Sequence, residues 1–208
     1  MRTDFDPAVL GVHPFYKLLT ATVVPRPIAW VSTISADGTV NLAPHSFFTV
    51  ACTDPPVIQF TSVGRKDSLT NVEATKEFVV ALTPERLFEQ VNATGTNFPP
   101  GVDEFAAVGL TAEPSQRVRP PRVAESPVAL ECVLQGTVSF GDCTVVFGRV
   151  VLAAIDDDVL DGNHPVFERL APLSRLGKDE WGLPPATKEI TRIRYDDWPG
   201  HYDPPAGS

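Results

Sequence analysis

The feature that most constrains this chain is its proline content, 21 residues, many of them in pairs: Pro55-Pro56, Pro99-Pro100, Pro120-Pro121 and Pro184-Pro185. Proline lacks the backbone N–H and cannot sit in a central strand or a helix interior, so each pair marks a joint between elements. What lies between the joints is mostly strand. Pro27 to Ser35 is β-rich and ends in Ala36-Asp37-Gly38, where Asp-Gly is a strong hairpin signal. The chain is then expected to return as one strand over Val40–Cys52. Val57–Ser62 and Glu77–Leu82 are two further strands. Ala129–Phe140 and Thr144–Ile155 are long and Val-rich, joined at Gly141-Asp142.

These strands sit mostly in hairpins, which favours antiparallel closure into a barrel over a parallel sheet. Helical patterns are fewer: Ser68–Lys76, Glu85–Thr94 and a short one over Val102–Val108. The expected class is mostly β with flanking helices. Residues 1–194 read as one domain, and 195–208 as a Pro/Gly-rich C-terminal tail that Trp198 and Tyr202 could anchor.

At 208 residues and 43% hydrophobic content, the chain is long enough to bury a substantial core. A formal net charge of −9 argues against nucleic acid as a partner, although a few local cations can still hold a small anion. The first ten residues, MRTDFDPAVL, lack a basic region followed by an apolar one, and no apolar run is long enough to span a membrane. With three cysteines and no Cys-x-x-Cys spacing, a reduced, cytoplasmic protein is expected. The four histidines are scattered without metal-ligand spacing, and neither a Gly-x-Ser-x-Gly elbow nor a Gly-x-Gly-x-x-Gly turn is present.

One stretch asks for a ligand. Ser62 to Asn71, SVGRKDSLTN, places Arg65 and Lys66 beside Asp67 and Ser68, where a strand ends and a helix begins. A helix N-terminus has unpaired amides and favours an anion, and Arg65, Lys66, Ser62 and Ser68 add charge and donors. Equally, Asp67 can act as an ordinary N-cap with both cations in water.

A second stretch bears on that choice. VPRPIAWVSTISADGTVNLAPHSFF (Val24 to Phe48), followed by Asp54-Pro55-Pro56 and Lys66-Asp67-Ser68, resembles the flavin reductase-like, FMN-binding split-barrel family. The resemblance continues through Asn92-Ala93-Thr94, Phe98 to Gly101, Pro120 to Val123, Ser126 to Cys132 and Arg175-Leu176-Gly177, and so covers most of the chain. It implies a six-stranded antiparallel Greek-key split barrel, a homodimer, and FMN near the subunit interface. It implies further that Ser62, Arg65, Lys66 and Ser68 lie on the phosphate side, with Asp67 capping the helix. Asn41, Ala43, His45, Ser46 and Phe47 would lie along the flavin ring, with His45 as the catalytic candidate. Thr33 would reach the ribityl chain or the phosphate. Arg26 is either a rigid interface residue or a second phosphate contact, and Trp30 is expected in the core. Pro44 inside a strand implies a break in pairing or a sheet edge.

The implied activity is that of an FMN-dependent oxidoreductase, a flavin reductase that takes hydride from NADH or NADPH and keeps the reduced flavin or passes it to an oxygenase partner. Two departures complicate it. Many relatives carry a histidine in the hairpin where this chain has Cys143, and an acid where it has Arg149. Two other functions therefore stay open: a same-fold flavoenzyme acting directly on an organic substrate, with Arg117, Arg119 and Arg122 available to an acidic one, and a non-catalytic FMN carrier.

Overall fold

The computed structural model describes residues 1–99 and 101–198; Pro100, Tyr202 and the rest of the expected tail beyond Trp198 lie outside the described residues. Seven strands form the main sheet: β1 (Ala29–Ile34), β2 (Val40–His45), β3 (Phe48–Cys52), β4 (Val57–Val63), β5 (Glu77–Ala81), β6 (Val128–Phe140) and β7 (Cys143–Ile155). Their order across the sheet is β2-β1-β5-β6-β7-β4-β3, and every neighbouring pair is antiparallel. The class is as expected, a mostly β split barrel with flanking helices.

The count differs for one reason. Val40–Cys52 is not one strand but two, β2 and β3, which lie at opposite edges of the sheet. The chain passes between the edges at Ser46-Phe47, where the amide of Thr61 donates to the carbonyl of Phe47 at 2.9 Å. This bend curls the sheet into a barrel. Pro44 is tolerated because β2 is an edge strand, paired only with β1.

Both hairpin turns form as their sequences dictate. Gly38 (φ 96°) and Gly141 (φ 58°) take left-handed conformations that a residue with a Cβ adopts only at a cost. The expected 85–94 helix begins as a 3-10 turn, Glu85–Leu87, and continues as α-helix over Phe88–Ala93; the third is the short Glu104–Ala107.

Burial divides into an inner and an outer core. Inside the barrel, Ala29 and Val31 pack with Phe60, Phe78, Cys132 and Val146, and Leu69 and Val72 of the Asp67–Thr75 helix close one end. Outside it, Trp30 and Leu42 pack with Val91, Phe105 and Leu173. β1 is therefore covered on both faces, which is why its sequence is continuously apolar or small rather than alternating. Trp30 is fully buried, as expected, and its indole donates to Thr94 Oγ1 at 2.8 Å. No helix among the described residues is long and apolar enough to cross a membrane.

Candidate functional site

The bend at Ser46-Phe47 and the start of the Asp67–Thr75 helix face one another across a cleft of about 470 Å³. Its walls bring together residues far apart in the chain. Asn41, Ala43, His45, Ser46 and Phe47 come from the end of β2 and the bend, and Arg65, Lys66 and Ser68 from the helix entrance. The Thr94–Phe98 segment closes a third side.

At the helix entrance the expected cap is absent. The N-cap residue is Lys66, whose side chain makes no capping bond, and Asp67 is the first helical residue. An ammonium has no lone pair to offer the first amides, so Asp67 is corrected from cap to first turn. The Lys66 ammonium instead donates to Asn97 Oδ1 at 3.1 Å, across the cleft. The helix thus presents unpaired amides and its positive dipole end beside a lysine. Arg65 lines the same end, but its side chain is 65% exposed and bound to Glu73 at 2.7 Å. Its contribution to the local potential is correspondingly screened.

Ser68 ties the two walls together. Its hydroxyl accepts from Asn41 Nδ2 at 3.2 Å and lies 3.2 Å from His45 Nε2. With Asn41 donating, the Ser68 proton is free to point at His45 or at a ligand. Asn41 also donates to Thr33 Oγ1 at 3.2 Å, and Asn71 donates to the same oxygen at 3.1 Å. Thr33 therefore sits behind the cleft wall, buried, and reaches the cleft through Asn41. Ser62 is likewise buried behind it, its hydroxyl donating to the Gly64 carbonyl at 2.8 Å and fixing the turn that leads to Arg65.

His45 is half-buried by surface, yet its imidazole is enclosed, with the Phe60 ring 4.7 Å away centroid to centroid. Burial, helped by the charge of Lys66 and opposed by a hydrogen bond with the Thr61 backbone, pushes its pKa down to about 4. The ring is neutral at pH 7. Phe47 and Phe48 diverge as adjacent residues at a strand end should. Phe48 packs on the inner core, whereas Phe47 lines the cleft and faces Tyr16 at 6.4 Å. Arg26 is away from the cleft lining. Its guanidinium donates to the carbonyls of Thr20, Val23 (3.0 Å) and Leu176 (2.8 Å) and lies 5.9 Å from the Phe47 ring centroid.

Several lining residues were not anticipated: Tyr16, Thr61, Thr96, Asn97 and Glu104. Glu104 is buried and accepts the Leu42 amide at 3.0 Å, and burial raises its carboxyl pKa. The signals near Thr96 and Asn97 are the flanking fragments of the family pattern, Asn92-Ala93-Thr94 and Phe98 to Gly101. Two of the three arginines of the 117–122 loop are already engaged through their side chains, and Arg117 through its backbone amide, which donates to Glu131. Arg122 is buried against Glu131 at 2.6 Å, and Arg119 pairs with Glu77 at 3.0 Å. Cys143 pairs opposite Val63 but does not line the cleft, and burial and its contact with Asp142 raise the thiol pKa, so it is not an activated thiolate.

Comparison with known proteins agrees with this architecture. The model of the flavin reductase like domain matches residues 21–171. An uncharacterized protein of Aquifex aeolicus is 46% identical over 168 residues, 78% of this chain and 86% of its own. Among solved structures, component B of nitrilotriacetate monooxygenase from Bacillus cereus superposes with a TM-score of 0.88 at 30% identity, covering 91% of this chain and 99% of that one. The 2-nitrobenzoate 2-nitroreductase of Pseudomonas fluorescens gives 0.85 at 29% identity, covering 99% and 100%. The family match spans the barrel, the bend and the helix entrance that together make the cleft, and the chain belongs to the flavin reductase-like domain family.

Proposed function

We propose that the cleft holds FMN and that the protein is an FMN-dependent oxidoreductase of the cytoplasm, a reductase using NADH or NADPH. The observation that carries this reading is the uncapped helix entrance with Lys66 and Ser68, opening into the same cleft as Ala43, His45 and Ser46. One end suits a phosphate. The other offers small, neutral polar groups and apolar walls suited to a flat heterocycle.

Lys66, the Ser68 hydroxyl and the first helix amides hold the phosphate, with Arg65 adding screened charge. Ala43 leaves room for a ring, and Asn41, His45 and Ser46 meet its polar edge while Phe47 and Tyr16 exclude water. Thr33 and Ser62 position these groups from behind, through Asn41 and the Gly64 turn. Bound flavin supplies the two-electron chemistry, accepting hydride from a nicotinamide and passing electrons on. His45, neutral at pH 7, is the side chain placed to accept a proton or a hydrogen bond at the ring edge.

Exposed Val63, Val138 and Phe140, near one end of β4 and β6 on either side of β7, support a homodimer with the cofactor near its interface. The likeness to a monooxygenase component B supports an oxygenase partner receiving reduced flavin. A second reading, direct action on an organic substrate, is favoured by the likeness to the Pseudomonas nitroreductase. Anaerobic mixing of FMN-loaded protein with NADH or NADPH tests the first. Rapid bleaching of flavin absorbance is expected; bound flavin that stays oxidised overturns the reductase reading in favour of the second or of a carrier.

A further inference from the structure

A second cavity, of about 570 Å³, adjoins the cleft and shares Pro44, Ser46 and Gly95 with it. Its outer wall is built by the last part of the barrel's periphery. Arg175 and Trp181 lie opposite one another in the short antiparallel pair of Ser174–Arg175 with Trp181–Gly182. The Arg175 guanidinium stacks on the Trp181 ring at 4.6 Å, and Phe88 meets the same ring edge-on at 5.1 Å.

Arg175 has no carboxylate within ion-pair distance among the described residues. One of its terminal nitrogens donates to the Lys178 carbonyl at 3.0 Å; stacking leaves the guanidinium's other in-plane N–H groups available. Its neighbour across the Arg26–Pro27 pairing is a second cation, Arg26, which is buried, bonded only to carbonyls, and has an unpartnered Nε. Burial and the Arg175 charge both lower the Arg26 pKa, as expected for two cations without a counterion.

We infer that this second cavity is the subsite for an organic substrate that is an aromatic monocarboxylate, its carboxylate on Arg175 and its ring against the cavity wall that Trp181 and Phe88 form. The assignment of the acid as a substrate rests on flavin occupying the first cleft, because the shared Pro44-Ser46 wall is what would bring its ring to the cofactor. Charge and shape select this class. A single stacked guanidinium presents a fork that fits a carboxylate, and the aromatic wall that Trp181 and Phe88 form together favours a flat apolar body. Asp179 at the rim repels a polyanion such as a dinucleotide diphosphate more strongly than it repels a monoanion.

Calorimetric titration of the FMN-free protein with benzoate, and with neutral benzamide as its isostere, tests the subsite without requiring turnover. Saturable benzoate binding is expected, at least about tenfold tighter than benzamide, consistent with one charge-assisted bidentate contact. Arg175→Met should abolish that preference, while Asp179→Asn, at an exposed position, should tighten benzoate severalfold. FMN binding, followed by quenching of flavin fluorescence, should be unchanged in both variants. Equal benzoate affinity in wild type and Arg175→Met overturns the inference, as does absence of saturable benzoate binding to the wild-type protein. Failure of the wild-type protein to bind FMN would instead remove the flavin reading, and leaves the calorimetric result distinct.

Discussion

His45 Nε2 and Ser68 Oγ lie 3.2 Å apart, and this one contact joins the end of β2 to the first turn of the Asp67–Thr75 helix. Because the imidazole pKa is about 4 in the folded protein against about 6.5 in an unfolded chain, the unfolded state binds the proton more readily. Stability from a neutral His45 is therefore fully present above about pH 6.5 and declines as pH falls through the interval down to about 4. Carboxylates also titrate at the lower end, so the informative quantity is a difference between proteins. Wild type should lose roughly 5 °C more in Tm than His45→Gln between about pH 6.5 and pH 4.5, by thermal unfolding. Parallel pH profiles would show that His45 is not held neutral by the fold.

Lys66 and Ser68 both face the proposed phosphate, but their substitutions should behave differently. Lys66 sits outside the core and holds only the Asn97 amide oxygen. Lys66→Ala should weaken FMN binding about tenfold or more, with little change in Tm. Ser68 is buried and receives the Asn41 amide, so Ser68→Ala should weaken FMN and also cost about 1–3 kcal/mol of stability through an unsatisfied donor. Arg65→Ala should have the smallest effect, and one that fades with added salt, because Glu73 already pairs it at an exposed site. Flavin-fluorescence titration beside thermal unfolding separates the three.

Much of the barrel was legible in the sequence because its determinants are local. Asp37-Gly38 and Gly141-Asp142 set two turns through their own backbone preferences, and continuous apolar runs around them could be little else than strands. Pro44 signalled an edge for the same reason. What escaped notice depended on geometry at a distance. The break between β2 and β3 follows from where Thr61 lies relative to Phe47, not from the residues at 46 and 47. Asp67 has the residue type of a cap, yet the cap position falls one residue earlier, on Lys66. Thr94, Phe98 and Arg175 fall in fragments of the family pattern, but that Thr94 to Phe98 walls the cleft and that Arg175 stacks on Trp181 appear only once the chain is folded. Two of the arginines of the 117–122 loop, Arg119 and Arg122, are committed to ion pairs, whereas Arg175 has none among the described residues.

Gly148 marks a point where the inner core tolerates no side chain. It stands at an irregularity in the β6–β7 pairing, and a Cβ there would lie 2.1 Å from Cζ and 2.7 Å from Cε1 of the Phe78 ring. Phe78 is fully enclosed by the inner core, so it cannot swing into solvent. Gly148→Ala should destabilise by about 1–3 kcal/mol, the usual range for overpacking. Pairing it with Phe78→Leu should cost less than the two single changes added together, because the smaller side chain relieves the overlap. Additive losses in urea unfolding would place the strain elsewhere.

Glu131 carries the largest single polar commitment in the fold. Its side chain is fully buried on β6 and accepts from the amides of Gln116 (2.9 Å) and Arg117 (2.6 Å) and from Arg122 Nε (2.9 Å) and its terminal nitrogen (2.6 Å). Burial alone would raise its pKa, but the bonds from Gln116, Arg122 and Arg117 outweigh it and hold the carboxyl below its ordinary value. The carboxylate's contribution is thus present above the unfolded pKa and lost as pH falls through the folded one. Removing the acceptor leaves Arg122 buried with only Glu113, at 3.5 Å, as counter-charge. Glu131→Ala should therefore cost about 3–5 kcal/mol, the range for breaking a buried ion pair from one side. Replacing Glu131 and Arg122 together by apolar residues should cost markedly less than Glu131→Ala alone. The same variants should leave FMN affinity nearly unchanged, since neither residue lines the cleft. Equal losses for the single and double variants would mean that the 117–122 loop is held by its backbone alone.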